Sequence, residues 1–200
     1  GWSPVDNQEI FSLEELTKAF DISRINKSPA VFDVKKLSWV NSMYLKHLSV
    51  EELVALCVPH LEAKGYIKDK NSEWVTNLVT VLKDRLSYGA EIVELFEEFF
   101  EAEYILGEEE QEFLNQEGVN ETLIAFRDLL SGLDTFDAES IKPLIKESGI
   151  IAGSKGKMLF MPLRIATTAS MHGPDLPQVL ALLGKETVIN NINLSLKEIK

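Results

Sequence analysis

The sequence predicts an all-α protein made of two packed helical units. Three observations carry that expectation. Apolar residues recur every three or four positions along most of the chain, the spacing that lines one side of a helix. Serine or aspartate stands where several of these stretches begin, and glycine where several end, as helix caps require. No convincing strand competes with them: Ile150-Ile151 and Met158–Phe160 are too short and too isolated.

Taken in order, Ser12 and Glu15 form a capping box ahead of Leu13, Leu16 and Phe20. Ser28-Pro29 interrupts, because the residue before proline avoids helical angles. A second helix carries Leu37, Val40, Tyr44 and Leu45, with Trp39 on its flank. Ser49 and Glu52 repeat the capping box, and Leu53, Leu56, Cys57 and Leu61 follow up to Gly65, a left-handed C-terminal cap. The next helix runs from Ser72 to about Ser87, stacking Trp74, Leu78 and Leu82, with Arg85 one turn beyond. From Glu91 to Tyr104 the helical stripe is Ile92, Leu95, Phe96, Phe99 and Phe100. Gly107 breaks it.

A short helix through Phe113 and Leu114 follows, then one from Asn120 through Leu123, Phe126 and Leu130 to Gly132. Asp137 caps a segment reaching Ser148, with Pro143 inside it. Gly149 to Lys157 reads as a glycine-rich basic loop. Met161-Pro162 starts a helix with proline in its first turn, and Gly173-Pro174 ends one element and starts another, which runs to Leu183 and is capped by Gly184.

The 45% apolar content is enough for a real core across 200 residues. A single cysteine, Cys57, allows no internal disulfide and fits a reducing, cytoplasmic setting. No run approaches the ~20 apolar residues of a membrane span. The chain opens on Gly1 rather than methionine, as a piece of a longer protein would. The net charge of −12 opposes nucleic acid as a partner until it is divided along the chain. Residues 89–147 hold 3 basic and 17 acidic side chains, whereas 148–200 hold 6 basic and 3 acidic. Residues 1–88 are nearly balanced, with 11 basic and 12 acidic. The negative charge thus sits in one middle segment near the joint of the two units, and the flanks are open to RNA. A solvated helical face is the simpler account of such a segment, so the segregation permits RNA binding without demonstrating it.

Chemistry-bearing patterns are weak. His47, His60 and His172 are far apart, without a second ligand at i+3 or i+4, so no metal site is expected. Cys57 has leucine neighbours and reads as a core thiol. Gly153-Ser154-Lys155-Gly156 matches a GxxG, but the strands of a KH domain are missing. A phosphate loop would need glycine where Ile151 stands and a hydroxyl residue where Met158 stands.

Three stretches reach further, because together they resemble bacterial-type glutamyl-tRNA synthetases. The first is Gly1-Trp2-Ser3-Pro4 with Glu9-Ile10-Phe11-Ser12. The second is Ser28-Pro29-Ala30-Val31-Phe32-Asp33 with Lys36–Asn41 and Tyr44. The third is Met161–Ala166, then His172-Gly173-Pro174-Asp175-Leu176, then Leu180–Glu186. Their order spans nearly the whole chain. Ala169 departs from the family, which commonly has glycine there, a change small in size. Neither a HIGH-like histidine pair nor a KMSKS sequence occurs, so the family's ATP- and magnesium-dependent chemistry is not expected here and no cofactor is expected in this chain.

The resemblance implies a layout: residues 1–48 end a stem-contact region, and 49–105 and 106–200 are two helical anticodon-binding subdomains. The implied partner is glutamate-accepting tRNA, bound by a monomer. Arg85 matches an arginine contacting the third anticodon base. Glutamate anticodons end in C, whose pairing edge offers adjacent acceptors to a guanidinium fork, whereas the G that ends glutamine anticodons presents donors there. Arg164 matches a second arginine of the anticodon site, and Gly173 and Leu176 match positions contacting the first two bases. Without the resemblance, Arg85 reads as a helix C-terminal cation, Arg164 as half of a salt bridge and Leu176 as core. Lys35, Lys36 and Lys46 are placed to touch the tRNA stem backbone, although exposed lysines usually only keep a surface soluble. The rival function is a helical protein-interaction module whose acidic Glu91–Glu117 stretch binds a basic partner.

Overall fold

A computed structural model describes residues 1–27, 31–69 and 72–199, and among them the chain is helical with no strand. The expected break at Ser28-Pro29 lies outside the described residues. Both capping boxes form. Ser12 accepts from the Glu15 amide while Glu15 accepts from the Ser12 amide, opening α1 (Leu13–Ala19). Ser49 and Glu52 do the same for α3 (Val50–Lys64), which Gly65 closes in the left-handed conformation at φ +78°. Between them, α2 (Val34–Leu45) is capped by the Asp33 carboxylate.

Among the described residues, 1–44 lie outside the main cores. Helix α1 buries no side chain and α2 buries only Leu45. Their attachment is local: Trp2 packs on Phe20 at 5.6 Å, and the Tyr44 hydroxyl donates to the Phe11 carbonyl at 2.6 Å. Lys36, read as surface, is ion-paired with Glu9.

The first core is built from Leu53, Cys57 and Leu61 of α3, Leu78 and Leu82 of α4 (Glu73–Leu82), and Ile92, Leu95 and Phe96 of α5 (Ile92–Phe96). Leu56, expected on the buried stripe of α3, is 45% exposed. Helix α4 stops five residues short of the expected end. A single 3₁₀ turn, Lys83–Arg85, follows, and the chain then runs extended at Leu86. The cause is visible at Ser87, whose carbonyl accepts from the Asn41 side chain and whose amide is taken by the Glu91 carboxylate. Beyond Phe96 the helix widens into a π-turn over Glu97–Glu101, with the Ala102 amide bonding the Glu97 carbonyl five residues back.

The second core is larger. It joins Phe113 and Leu114 of α6 (Glu108–Leu114), Leu123, Phe126 and Leu130 of α7 (Val119–Ser131), and Ile141 and Ile145 of α8 (Ala138–Ala152). Leu163 and Ile165 of α9 (Lys157–Thr168), Leu176 and Leu180 of α10 (Leu176–Leu183), and Val188 and Ile192 of α11 (Lys185–Glu198) complete it. Asp137 caps α8 as expected. The expected glycine-rich loop shrinks to Gly153–Gly156, because α8 continues to Ala152 through a buried Gly149. Helix α9 begins at Lys157 rather than Met161, so Pro162 lies inside it and forgoes one backbone bond. Burial of Leu159 and Leu163 on one face offsets that loss.

Helix α10 belongs to both cores. Leu176 and Leu180 face the second, and Leu182, rotated to the other side, is buried in the first. Each buried leucine contributes about 1.5–3 kcal/mol relative to exposure. The Trp74 indole of α4 donates to the Leu182 carbonyl at 3.1 Å, fastening α4 to α10. This joint fixes the cleft described next.

Candidate nucleic-acid interface

A cleft of about 550 Å³ opens between the two cores. Thr80, Val81, Lys83 to Arg85 and Glu98 line one wall, and Ser170 with His172 to Asp175 and Gln178 line the other. The walls come from segments some ninety residues apart and are brought together by the α4–α10 joint. The charge is mixed: Lys83 and Arg85 share one wall with Asp84 and Glu98, and Asp175 stands on the other.

Arg85 stands on the 3₁₀ turn, with its guanidinium in the cleft mouth. Its Nη1 and Nη2 each donate to Glu98 Oε1 at 3.2 Å, and Nη2 also reaches Oε2 at 3.3 Å. One face of the guanidinium rests over the Phe99 ring, 5.0 Å from its centroid. Such a contact contributes ~0.5–1 kcal/mol at exposed sites. Glu98 and Phe99 both come from the π-turn, which directs them at Arg85 while Phe100 stays stacked on Phe96 at 5.1 Å.

Gly173 forms the opposite lip. Its φ of +156° is one that side-chain-bearing residues rarely adopt, and a Cβ there would sit 2.8 Å from Arg164 Nη1 and 3.5 Å from the Phe99 ring. The turn is therefore closed over two side chains at once. Arg164, from α9, lies behind it and donates to the Pro174 carbonyl at 2.8 Å. Burial lowers the tendency of this guanidinium to hold its proton, and the nearby Asp175 carboxylate partly restores it. The bond to Pro174 is with a backbone carbonyl, not the salt bridge that the residue type alone suggests.

Leu176 is 4% exposed and packs in the second core. Its backbone, not its side chain, faces the turn, because it opens α10, whose N-terminus has no side-chain cap. The four nominated residues thus divide by depth. Arg85 and Gly173 line the cleft, Arg164 braces the lip from behind, and Leu176 anchors the helix beneath.

Sequence reasoning did not nominate Glu98, Phe99, Lys83, His172 or Gln178. Glu98 and Phe99 were hidden in a run of acidic and aromatic residues whose helical stripe accounted for them already. The basic Gly149–Lys157 segment contributes no residue to the cleft lining. Cys57 is fully buried, and burial pushes its thiol from 9.0 up to about 11, as a core thiol requires. Among the described residues, no helix is long and apolar enough to cross a membrane.

Two helical cores around one shared helix, with a polar and charged cleft between them, define a helical domain split by a single cleft. The chain belongs to the anticodon binding domain family, whose model matches residues 52–196. A glutamate–tRNA ligase of Halalkalibacterium halodurans is 47% identical over 196 residues, covering 96% of this chain and 40% of the relative. One of Geobacillus stearothermophilus is 44% identical over 202 residues, covering 99% and 41%. The crystal structure of a glutamate tRNA ligase from Elizabethkingia meningosepticum, in complex with its amino acid, superimposes with a TM-score of 0.80 at 29% identity, covering 100% of this chain and 39% of that one. The chain spans about two fifths of the length of these relatives.

Proposed function

We propose that this chain reads the anticodon loop of glutamate-accepting tRNA for a glutamate–tRNA ligase, and that the cleft between the cores is the reading site. The carrying observation is the meeting of Arg85, on one core, with the Gly173 lip, on the other, across a single cleft. Relatives named glutamate–tRNA ligase, aligned along 96% of the chain, supply the tRNA class. In this reading Arg85 donates from its fork to the acceptor edge of a C at the third anticodon position. The Gly173–Leu176 backbone meets the first two bases, and Arg164 keeps that backbone in place.

The division follows the same reading. Residues 1–48 end a stem-contact region, and 49–105 and 106–200 are the two anticodon-binding units. The chain works as a monomer in the cytoplasm and holds no cofactor of its own. ATP and magnesium belong to the activity of a whole ligase.

Titration with glutamate tRNA and with a variant bearing G at the third anticodon position tests the reading. Preference for C, lost on Arg85→Gln, is expected. Indifference to that base would overturn the assignment of Arg85. Binding that ignores salt would remove RNA altogether, because phosphate contacts release counterions.

A further inference from the structure

The working end of Arg85 is already occupied. Glu98 accepts from Nη1 and Nη2, the two terminal nitrogens that a base edge would use, through three contacts of 3.2–3.3 Å. A carboxylate presents two adjacent acceptor oxygens in a plane. That is the same pattern the pairing edge of cytosine offers. The fork is steadied independently of Glu98, because Phe99 lies against its face at 5.0 Å. Glu98 is therefore not needed to orient the arginine.

The pair is also loosely made. Charge-assisted N–H···O contacts usually run ~2.7–2.9 Å, shorter than any of these three. The side chains are 39% and 53% exposed, and exposed pairs of this kind contribute little to stability.

We propose that Glu98 is an internal competitor for the base-reading fork of Arg85, a stand-in for the cytosine edge that a bound C must displace. The proposal rests on the reading of Arg85 given above. A base presenting donors cannot take the fork, so it leaves Glu98 where it is. A base presenting two acceptors exchanges with the carboxylate, which swings into solvent. Glu98 thereby lowers affinity for the cognate loop, keeping release easy, and shields a naked guanidinium from indiscriminate phosphate contacts.

The test is fluorescence titration of the full 200-residue chain with glutamate tRNA and its third-position G variant, for wild type, Glu98→Gln, Arg85→Gln and the double variant. Glu101→Gln, an exposed carboxylate in the same π-turn, controls for simple removal of negative charge. Glu98→Gln should tighten cognate binding about two- to five-fold, the worth of an exposed ion pair, and by more than Glu101→Gln does. The G variant should gain no more than it gains from Glu101→Gln. In the Arg85→Gln background the extra effect of Glu98→Gln should vanish. Unchanged or weaker cognate binding by Glu98→Gln, or a gain matched by Glu101→Gln, overturns the competitor role while leaving Arg85 as reader. If Arg85→Gln keeps the full preference for C, the underlying reading fails instead. Because Glu98 is exposed, thermal unfolding of each variant should match wild type, and a lowered midpoint for Glu98→Gln would show a structural role and overturn the proposal.

Discussion

Phe99 lies between the two walls of the cleft: its ring is 5.0 Å from the Arg85 guanidinium and 3.5 Å from where a Cβ of Gly173 would stand. One side chain thus sets the height of the arginine on one core relative to the lip on the other.

Phe99→Leu keeps an apolar side chain but removes the ring quadrupole. The contact is worth ~0.5–1 kcal/mol, so the preference for C over G at the third anticodon position should fall about two- to five-fold. Paired titrations of the two RNAs measure it. A fall in affinity equal for both RNAs would mean that Phe99 only fills space.

Gly173→Ala places a methyl group 2.8 Å from Arg164 Nη1 at a φ of +156°. Backbone strain of this kind costs ~1–3 kcal/mol. The lip should shift, weakening RNA binding for both C and G variants and lowering the unfolding midpoint. An alanine variant that binds and melts like wild type would show that the lip is not closed over Arg164.

Ala169 closes α9 in the left-handed conformation at φ +53°, one of two non-glycine residues in the described chain with positive φ. Its sequence reading as a change small in size missed the conformation: the methyl group costs roughly 1–2 kcal/mol there. Part of that is offset by the lower freedom of alanine in the unfolded chain. Ala169→Gly should therefore stabilise by about 0.5–1 kcal/mol, raising the melting midpoint by a few degrees. Scanning calorimetry decides the sign.

Cys57 supplies a pH signature. Its thiol is held at about 11 in the fold against an ordinary 9.0, because burial disfavours the thiolate. A raised folded value means that its contribution is complete below pH 9. It is lost as pH rises from 9 through 11, where the unfolded chain's thiol ionises first. Urea midpoints at pH 8 and pH 10.5 should separate more for wild type than for Cys57→Ala. Equal separation would place the thiol in contact with solvent.

Much of the fold is legible in the sequence because caps are local. Ser12 with Glu15, Ser49 with Glu52, Gly65 and Asp137 all act through backbone groups within a few residues, and each is found where the pattern places it. Helix α11 is not legible in the same way. Its buried positions are Val188, Asn191, Ile192 and Ser195, and two of these are polar. Asn191 is satisfied by donating to the Thr167 carbonyl at 2.9 Å, and Ser195 by the Tyr104 hydroxyl at 2.6 Å. Those partners lie 24 and 91 residues away, so apolar periodicity cannot find them. The early end of α4 has the same origin, since the Asn41 side chain that takes the Ser87 carbonyl is 46 residues distant. At the cleft, only the family resemblance nominates Arg85 and Gly173, since residue type alone reads Arg85 as a helix C-terminal cation. Glu98 is one carboxylate among many, and only the π-turn singles it out.

Helix α10 gives the cleft a fixed gauge. With Leu176 and Leu180 set in one core and Leu182 in the other, the walls cannot swing apart unless a leucine is pulled into water or the Trp74 bond to Leu182 breaks. Under the proposed reading, conformational adjustment is thereby assigned to the RNA: an anticodon loop would have to unstack and splay to the spacing it meets. Loops that resist that deformation would be rejected through their own stiffness, before any base edge is compared with Arg85.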